Sequence, residues 1–278
     1  MTQGGADIAP PCVETRGIAH VYRAADGSEV HALDDVSIEI PRRGFASLIG
    51  ESGCGKSTLL KIIGGLLEPT EGEAYINGEP VEGPEQDSGY MFQDATLLPW
   101  RTAEANVLLP IEIRHGRKRA KASVGRAREL LAQTGIGPFA EAYPHQLSGG
   151  MAQRVAICRM LVTEPTLLLL DEPFGALDEL TRETMNEDMQ SMCAHSGAAA
   201  IMVTHSIPEA VFLSDVVYVM SSRPGRIVDT IEINLPRPRD FETTTSQPEY
   251  LEDVRRVRHA LTTGSGGSPT GDTDGRYH

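Results

Sequence analysis

A glycine-rich segment near residue 50 carries the residue types that bind nucleotide phosphates. It follows the pattern G-x-x-x-x-G-K-[S/T], and its candidate ligands are Gly50, Ser52, Gly53, Cys54, Gly55, Lys56, Ser57 and Thr58. Glycines let backbone N–H groups turn towards an anion, and the first turn of a following helix adds positive potential. The Lys56 ammonium suits the β- and γ-phosphates, and the Ser57 hydroxyl suits Mg²⁺, a cation that prefers oxygen ligands. The segment therefore predicts a phosphate cradle with a magnesium site beside it.

Two adjacent carboxylates end an apolar run further along the chain. Residues 167–170 are all leucine and lead directly into Asp171 and Glu172. A continuous apolar run of this length is typical of a central parallel strand that is covered on both faces. The carboxylates could belong to a solvated loop, but their place at a strand end favours a Walker B pair.

A second anion cradle is predicted near residue 148. The run Leu147-Ser148-Gly149-Gly150-Met151 leads into a predicted helix over residues 151–161. A serine hydroxyl and two glycine amides at a helix N-terminus favour negatively charged ligand groups. The chain thus carries two candidate phosphate sites that are well separated in sequence.

Together these segments resemble one family, the ATP-binding-cassette (ABC) ATPases, over about residues 13–235. In that family the Leu-Ser-Gly-Gly segment of one subunit closes over the nucleotide held by the other. The resemblance therefore implies ATP and Mg²⁺ as ligands and a head-to-tail homodimer with ATP between the two copies. It also implies that Asp171 supports the Mg²⁺ shell and that Glu172 polarises the attacking water as general base.

Four further residues fit the order of motifs in the family. Gln93 resembles the glutamine that bridges Mg²⁺ to a helical subdomain, and His205 resembles the switch histidine that contacts the γ-phosphate. Asp178 falls in the segment that runs along the family's dimer interface. Tyr22 is a candidate for the aromatic residue that stacks on adenine, with simple packing as the alternative.

Predicted strands and helices alternate along the chain, which indicates an α/β fold. Residues 13–48 have the pattern of an antiparallel β region, and a buried strand at 45–49 enters the glycine loop. Helical character follows at 57–67, from about 97 to 160, and at 180–193. The basic stretch at 117–132 is predicted to be a solvated helix face, with a patch that contacts RNA or lipid headgroups as the alternative. Strands are predicted at 199–203 and 216–220. The resemblance implies a P-loop ABC ATPase with a RecA-like parallel-sheet core, an N-terminal antiparallel β region and an inserted helical subdomain.

Composition divides the chain into four expected segments. Residues 1–12 are predicted to be a disordered lead, and 13–240 to be the ABC ATPase domain with its helical subdomain at about 97–160. A C-terminal helical extension is expected at 241–262. The Gly/Ser/Thr-rich residues 263–278 are predicted to be a disordered tail.

The bulk properties limit the partners. A net charge of −14 argues against nucleic acid as a partner, because neutralising phosphates requires basic surface. The four cysteines lack metal-ligand spacing, which favours reduced thiols. The N-terminus has no secretory signal, and the longest apolar runs are too short to span a bilayer. Any membrane role is therefore expected to be peripheral.

The number and spacing of motifs favour a transporter subunit. The interval between Gln93 and Leu147 has no room for the long coiled coil of DNA-maintenance members, and translation members usually hold two cassettes. The run Leu97-Leu98-Pro99-Trp100-Arg101-Thr102 resembles the nitrate/sulfonate/taurine importer ATPases. We therefore expect the ATPase subunit of an importer for a small anion such as a sulfonate, taurine or nitrate, located peripherally on the cytoplasmic side of the cell (inner) membrane.

The same resemblance implies the partners. In the family this segment receives the integral-membrane permease subunits, so Trp100 is predicted to anchor that contact, with an ordinary core position as the alternative. An extracytoplasmic substrate-binding protein is an indirect partner. Two other functions stay open, a soluble ABC ATPase that remodels a protein or nucleic-acid partner and an exporter ATPase, because the nucleotide motifs are common to all three.

Overall fold

The computed structural model describes residues 10–264 except residues 25, 85, 86 and 176. The strands are β1 Val13–Arg23, β2 Glu29–Ile40, β3 Phe45–Ile49, β4 Glu71–Ile76, β5 Glu79–Pro80, β6 Ser88–Met91, β7 Leu167–Asp171, β8 Ala199–Thr204, β9 Val216–Met220 and β10 Ile227–Glu232. The helices are α1 Lys56–Ile63, α2 Ala103–Val107, α3 Leu109–Ala122, α4 Val124–Gln133, α5 Gly149–Leu161, α6 Glu179–Ser196, α7 Ile207–Leu213, α8 Phe241–Thr245 and α9 Pro248–Gly264.

A six-stranded sheet forms the core, in the order β10-β9-β3-β8-β7-β6. All neighbouring pairs are parallel except β9 and β10. The leucines of β7 and every residue of β3 and β8 are buried, as expected for strands covered on both faces. The predicted parallel-sheet core is confirmed. Because parallel strands end at the same edge, the sheet brings the segments after β3, β7 and β8 close together.

A second, antiparallel sheet has the order β2-β1-β4-β5. Its β4–β5 hairpin turns at Asn77 and Gly78, which both have positive φ (55° and 88°), as a two-residue turn of this kind requires. Leu59 and Leu60 of α1 share a buried apolar cluster with Val36 of this sheet and Ile201 of the core sheet. Helix α1, and with it the glycine loop, is therefore held between the two sheets.

Helices α2 to α5 occupy the chain between β6 and β7, as the predicted helical insertion requires. The basic side chains over 117–132 are mostly exposed, as the predicted solvated face requires, but they do not lie on one continuous helix. Helix α3 has a non-helical residue at Gly116 (φ 80°, ψ 169°), and Ser123 separates α3 from α4. Glycine allows the first break because it lacks the Cβ that disfavours positive φ. The basic residues therefore lie on two helices.

The ends of the chain are only partly described. Residues 1–9 of the expected disordered lead and 265–278 of the expected tail lie outside the described residues, and those two expectations stay predictions. Cys12 is buried, and its N–H donates to the Ile40 carbonyl. Helix α9 extends to Gly264 and buries Tyr250 and Val257. All four cysteines are free, and across the described residues no helix is both long and apolar enough to cross a bilayer.

Candidate nucleotide-binding and hydrolysis site

The glycine loop wraps around the side chain of Lys56. Strand β3 leads into the loop. Gly55 (φ 102°) directly precedes α1 and has a backbone conformation that is unfavourable for residues with a Cβ. A Cβ at Gly55 would lie 2.6 Å from the Ala32 carbonyl oxygen, so glycine is also required for the close approach of β2. The Lys56 ammonium donates to the carbonyls of Gly50 (2.9 Å) and Glu51 (2.8 Å) and is almost fully buried. The loop thus encloses a cation at the start of a helix.

A hydroxyl–carboxylate pair lies beside this loop. The Ser57 Oγ donates to Asp171 Oδ1 at 2.7 Å and joins the first turn of α1 to the end of β7. Burial raises the pKa of the Asp171 carboxyl, which means that this site favours a neutralising partner for the carboxylate. A hydroxyl and a carboxylate fit Mg²⁺, which uses few protein ligands together with waters and nucleotide phosphates. The described residues contain no group of three or more His, Cys, Asp or Glu that could hold a metal alone.

A cavity of about 320 Å³ extends from the loop towards the antiparallel sheet. Its described lining residues are Tyr22, Val30, Ala32, Ser52, Gly53, Gly55, Lys56, Ser57, Thr58, Gln93, Glu172 and Arg223. The Tyr22 hydroxyl lies 3.2 Å from Thr58 Oγ1, and the ring is 41% exposed. This position leaves ring surface for a planar group, and the ring also has an edge contact with His20 (centroids 4.5 Å apart). The cavity therefore combines an aromatic end with a cationic, amide-lined end.

Glu172 and His205 form the third part of the site. Glu172 has a positive φ of 46°, and its N–H donates to the Val203 carbonyl of β8 at 2.9 Å. His205 follows β8, and its Nδ1 lies 3.5 Å from Glu172 Oε2. The parallel arrangement of β7 and β8 thus places an exposed imidazole next to a carboxylate that lines the cavity. These groups can accept a proton from water and contact an anionic substrate.

Gln93 reaches the cavity from the segment after β6, and side chains of α5 hold that segment in place. Gln153 Nε2 donates to the Gln93 carbonyl at 3.0 Å, and Arg159 donates to the carbonyls of Ala95 and Thr96. Gln153 follows the Leu147–Met151 run and belongs to the segment that carries the family resemblance, whereas nothing in the sequence points to Arg159. Any shift of α5 would therefore carry the backbone of Gln93 with it.

The second anion cradle lies outside this cavity. Ser148 is the N-cap of α5 and accepts a hydrogen bond from the Met151 N–H (3.3 Å), while the Cβ position of Gly149 faces open space. A Cβ at Gly150 would lie 2.8 Å from Thr181 Cγ2, so α5 and α6 approach closely there. Asp178 is the N-cap of α6 and accepts from the Thr181 N–H. The described lining of the cavity includes none of Ser148, Gly149, Gly150 and Asp178.

A buried carboxylate that sequence reasoning missed supports His205. Thr204 Oγ1 donates to Glu209 Oε2 (2.7 Å) and accepts from the Ser206 N–H (3.0 Å), so the backbone is fixed on both sides of the histidine. Arg182 lies 3.4 Å from the other Glu209 oxygen. Burial raises the pKa of Glu209, although Thr204 and Arg182 partly oppose that shift. The spacing Ser206-x-x-Glu209 signals a capping box, and the Ser206 Oγ does accept from the Glu209 N–H (3.4 Å). The second half of the box is absent, because the Ser206 N–H donates to Thr204 Oγ1 and not to the Glu209 carboxylate.

The strand, glycine loop, helix and neighbouring Ser–Asp pair define a P-loop nucleotide-binding protein. A comparison with protein families matches residues 33–175 to the family described as ABC transporter. The taurine import ATP-binding protein of Rhizobium johnstonii is 44% identical over 86% of this chain and 93% of its own. The aliphatic sulfonates import ATP-binding protein of Bacillus cereus is 43% identical over 84% of this chain and 90% of its own.

Solved structures show the same similarity. A dimeric ATP-binding cassette in a post-hydrolysis state bound to ADP and Pi is 30% identical and superposes with a TM-score of 0.68, over 81% of this chain and all of that chain. The chain belongs to the ABC transporter family. Nucleotide binding and ATP hydrolysis, expected from the motifs, follow from this membership.

Proposed function

We propose that this chain is the ATP-hydrolysing subunit of an ABC importer that takes up a small anion. The observation that carries the proposal is that Lys56, Ser57 and Glu172 line one cavity. Asp171 accepts a hydrogen bond from Ser57, and His205 lies beside Glu172. The importer assignment is supported by the similarity to import ATP-binding proteins for taurine and aliphatic sulfonates. By this similarity the transported substrate is a sulfonate, taurine or a comparable anion such as nitrate.

Each of the site residues has a separate role in ATP hydrolysis. The loop N–H groups and Lys56 bind the β- and γ-phosphates, and the adenine stacks on Tyr22. Ser57, Asp171 and Gln93 would hold Mg²⁺, which supplies charge neutralisation at the phosphates. Glu172 accepts a proton from water as the water oxygen bonds to the γ-phosphorus and the bond from that phosphorus to the bridging oxygen breaks. His205 contacts the γ-phosphate, and ADP and phosphate leave.

A second copy of the chain completes the site. Ser148 and Gly149 present an anion cradle whose Gly149 side faces open space, and neither residue is among the described lining of the cavity of the same chain. In a head-to-tail homodimer, this cradle would cover the γ-phosphate held by the partner, and Asp178 would run along the interface. ATP then joins the two copies, and hydrolysis separates them.

An exposed apolar surface supports a permease partner. Trp100 is 70% exposed, so its alternative interpretation as a core residue is wrong. Phe92 and Ile113 are also exposed apolar side chains, the first directly before Gln93 and the second on α3. Large exposed aromatic residues dominate protein interfaces when they become buried. On this proposal the chain binds membrane permease subunits at the cytoplasmic face, and an extracytoplasmic substrate-binding protein delivers the anion.

Replacing Trp100 by Ala should weaken binding to the permease by about 30-fold, the loss typical of a buried aromatic anchor. The measurement is a pull-down of the tagged chain from detergent-solubilised native membranes with ATP, read by mass spectrometry. Leu251→Ala is the matched control, because Leu251 is an exposed apolar residue on α9 (44% exposed), and it should recover the permease normally.

Three outcomes of that pull-down separate the candidate functions. A multi-spanning protein that is lost specifically with Trp100→Ala supports the transporter subunit. Recovery of a soluble partner and no membrane protein would favour the remodelling ATPase instead. A permease without any genetically or physically associated binding protein would favour an exporter.

A further inference from the structure

The loop between β9 and β10 lies against both the antiparallel sheet and the glycine loop. The Gly225 N–H donates to the Ala32 carbonyl (2.9 Å), and the Gly225 carbonyl accepts from the Asp34 N–H (3.0 Å). A Cβ at Gly225 would lie 2.0 Å from the Cys54 carbonyl oxygen, so only glycine permits this approach. Residues 221–226, here the β9–β10 loop, are thereby fixed beside the phosphate cradle.

This loop brings Arg223 to the mouth of the nucleotide cavity. Its Nε and Nη2 both donate to the Gly53 carbonyl oxygen, at 3.2 and 3.1 Å, and the side chain is part of the cavity lining. Gly53 has a positive φ of 78°, and the two hydrogen bonds fix the orientation of the peptide that follows it. The guanidinium is therefore attached to the cradle and remains partly exposed to the cavity.

Within the part of the chain that the structure describes, no acidic side chain neutralises the charge of Arg223. Among the described residues no carboxylate forms an ion pair with Arg223, and its Nη1 has no protein hydrogen-bond partner there. Arg226, three residues later, is instead paired with Asp34. The chain has a net charge of −14, and Arg223 still has no carboxylate partner among the described residues. Its unused N–H donors at the cavity suit phosphate oxygens.

We propose that Arg223 is a second cationic contact for the nucleotide polyphosphate, opposite Lys56, and that it holds the Gly53 peptide in the cradle. The inference rests on the proposed nucleotide site and names a residue outside its recognised motifs. Lys56 reaches the phosphates from within the loop, whereas Arg223 approaches from the β9–β10 loop. Nucleotide binding thus involves the end of the core sheet as well as the glycine loop.

Removing the guanidinium should weaken nucleotide binding. Arg223→Met is expected to lower the affinities for Mg-ATP and ADP about tenfold, the loss of one partly exposed charge-assisted contact. Arg223→Lys keeps the charge without the fork of donors and should lose only about threefold. The affinity of Arg223→Met should also fall less steeply with added NaCl than that of the wild type, because fewer charges are screened.

Calorimetric titration of the purified full chain with ATP and ADP, at low and high NaCl, measures these effects. Arg226→Met is the matched control, because it removes a cation from the same loop that is paired with Asp34, and it should stay within about twofold of wild type. Thermal unfolding of each variant checks that it is folded.

The possible results separate the inference from the function on which it rests. A wild-type chain that binds no nucleotide would contradict the proposed function itself. A wild-type chain that binds ATP, with Arg223→Met unchanged, would overturn only the role of Arg223. Two further results would also overturn the phosphate contact, because they would mean that Arg223 only supports the loop. The first is an equal loss of nucleotide affinity in Arg223→Met and Arg223→Lys with an unaltered salt dependence. The second is an equal loss of affinity in Arg223→Met and Arg226→Met.

Discussion

Glu172→Gln should bind Mg-ATP normally and accumulate as an ATP-bound dimer, while its hydrolysis rate falls by about 10²–10⁴-fold. The amide cannot accept the proton of the attacking water, but it keeps the shape of a side chain that lines the cavity beside His205. Two copies can therefore close over ATP and cannot reopen by hydrolysis. Size-exclusion chromatography with light scattering gives the mass, and phosphate release gives the rate.

Glu249→Gln is the matched control for this result. Glu249 is exposed on α9, so the same chemical change there should leave the oligomeric state and the rate of ATP hydrolysis as in the wild type. A Glu172→Gln chain that stays monomeric with Mg-ATP, alone and with its permease, would remove the main support for a head-to-tail dimer with ATP between the two copies. Hydrolysis at the wild-type rate would contradict the role of Glu172 as general base.

Ser148→Arg should abolish hydrolysis and ATP-dependent dimerisation while nucleotide affinity stays near normal. Ser148 is the N-cap of α5 and lies outside the cavity, so its replacement leaves the Lys56 cradle intact. The long side chain would occupy the space into which the partner's nucleotide must fit. Dimer formation is measured by light scattering in the Glu172→Gln background, and affinity by titration of ADP.

Ser148→Ala separates the loss of the helix N-cap from the steric effect of a large side chain on dimer closure. The alanine removes the hydrogen bond to the Met151 N–H and should lower the free energy of unfolding by about 1 kcal/mol. It should still permit closure because the space stays open. If Ser148→Arg lost nucleotide binding, Ser148 would belong to the cavity of its own chain, contrary to the structure.

The local part of the site could be predicted from sequence because its motifs are continuous in the chain. Four leucines before Asp171 predict a buried strand, and the glycine pattern around Lys56 predicts the loop between β3 and α1. Parallel pairing of β7 and β8 then brings Glu172 and His205 together. The roles of these residues stay predictions, whereas their proximity is a structural result.

Arg223 and Glu209 could not be found in the same way. Arg223 reaches Gly53 only because the β9–β10 loop crosses the end of the core sheet, a tertiary approach that leaves no periodic pattern. Glu209 matches a capping box, yet its contact with Thr204 depends on how α7 follows β8. The position of Trp100 was open between core and surface, since a single aromatic residue fits both, and only the packing decides it.

On this proposal each hydrolysis site uses Lys56 of one chain and Ser148 of the other. Mixing inactive Lys56→Ala with inactive Ser148→Arg tests it most directly, because a mixed dimer has one site with both residues intact. We expect phosphate release to rise clearly above the sum of the separate variants, up to about half of the wild-type rate, because a mixed dimer has one working site out of two. A mixture that hydrolyses no faster than the sum of the separate variants would contradict a site shared between two chains.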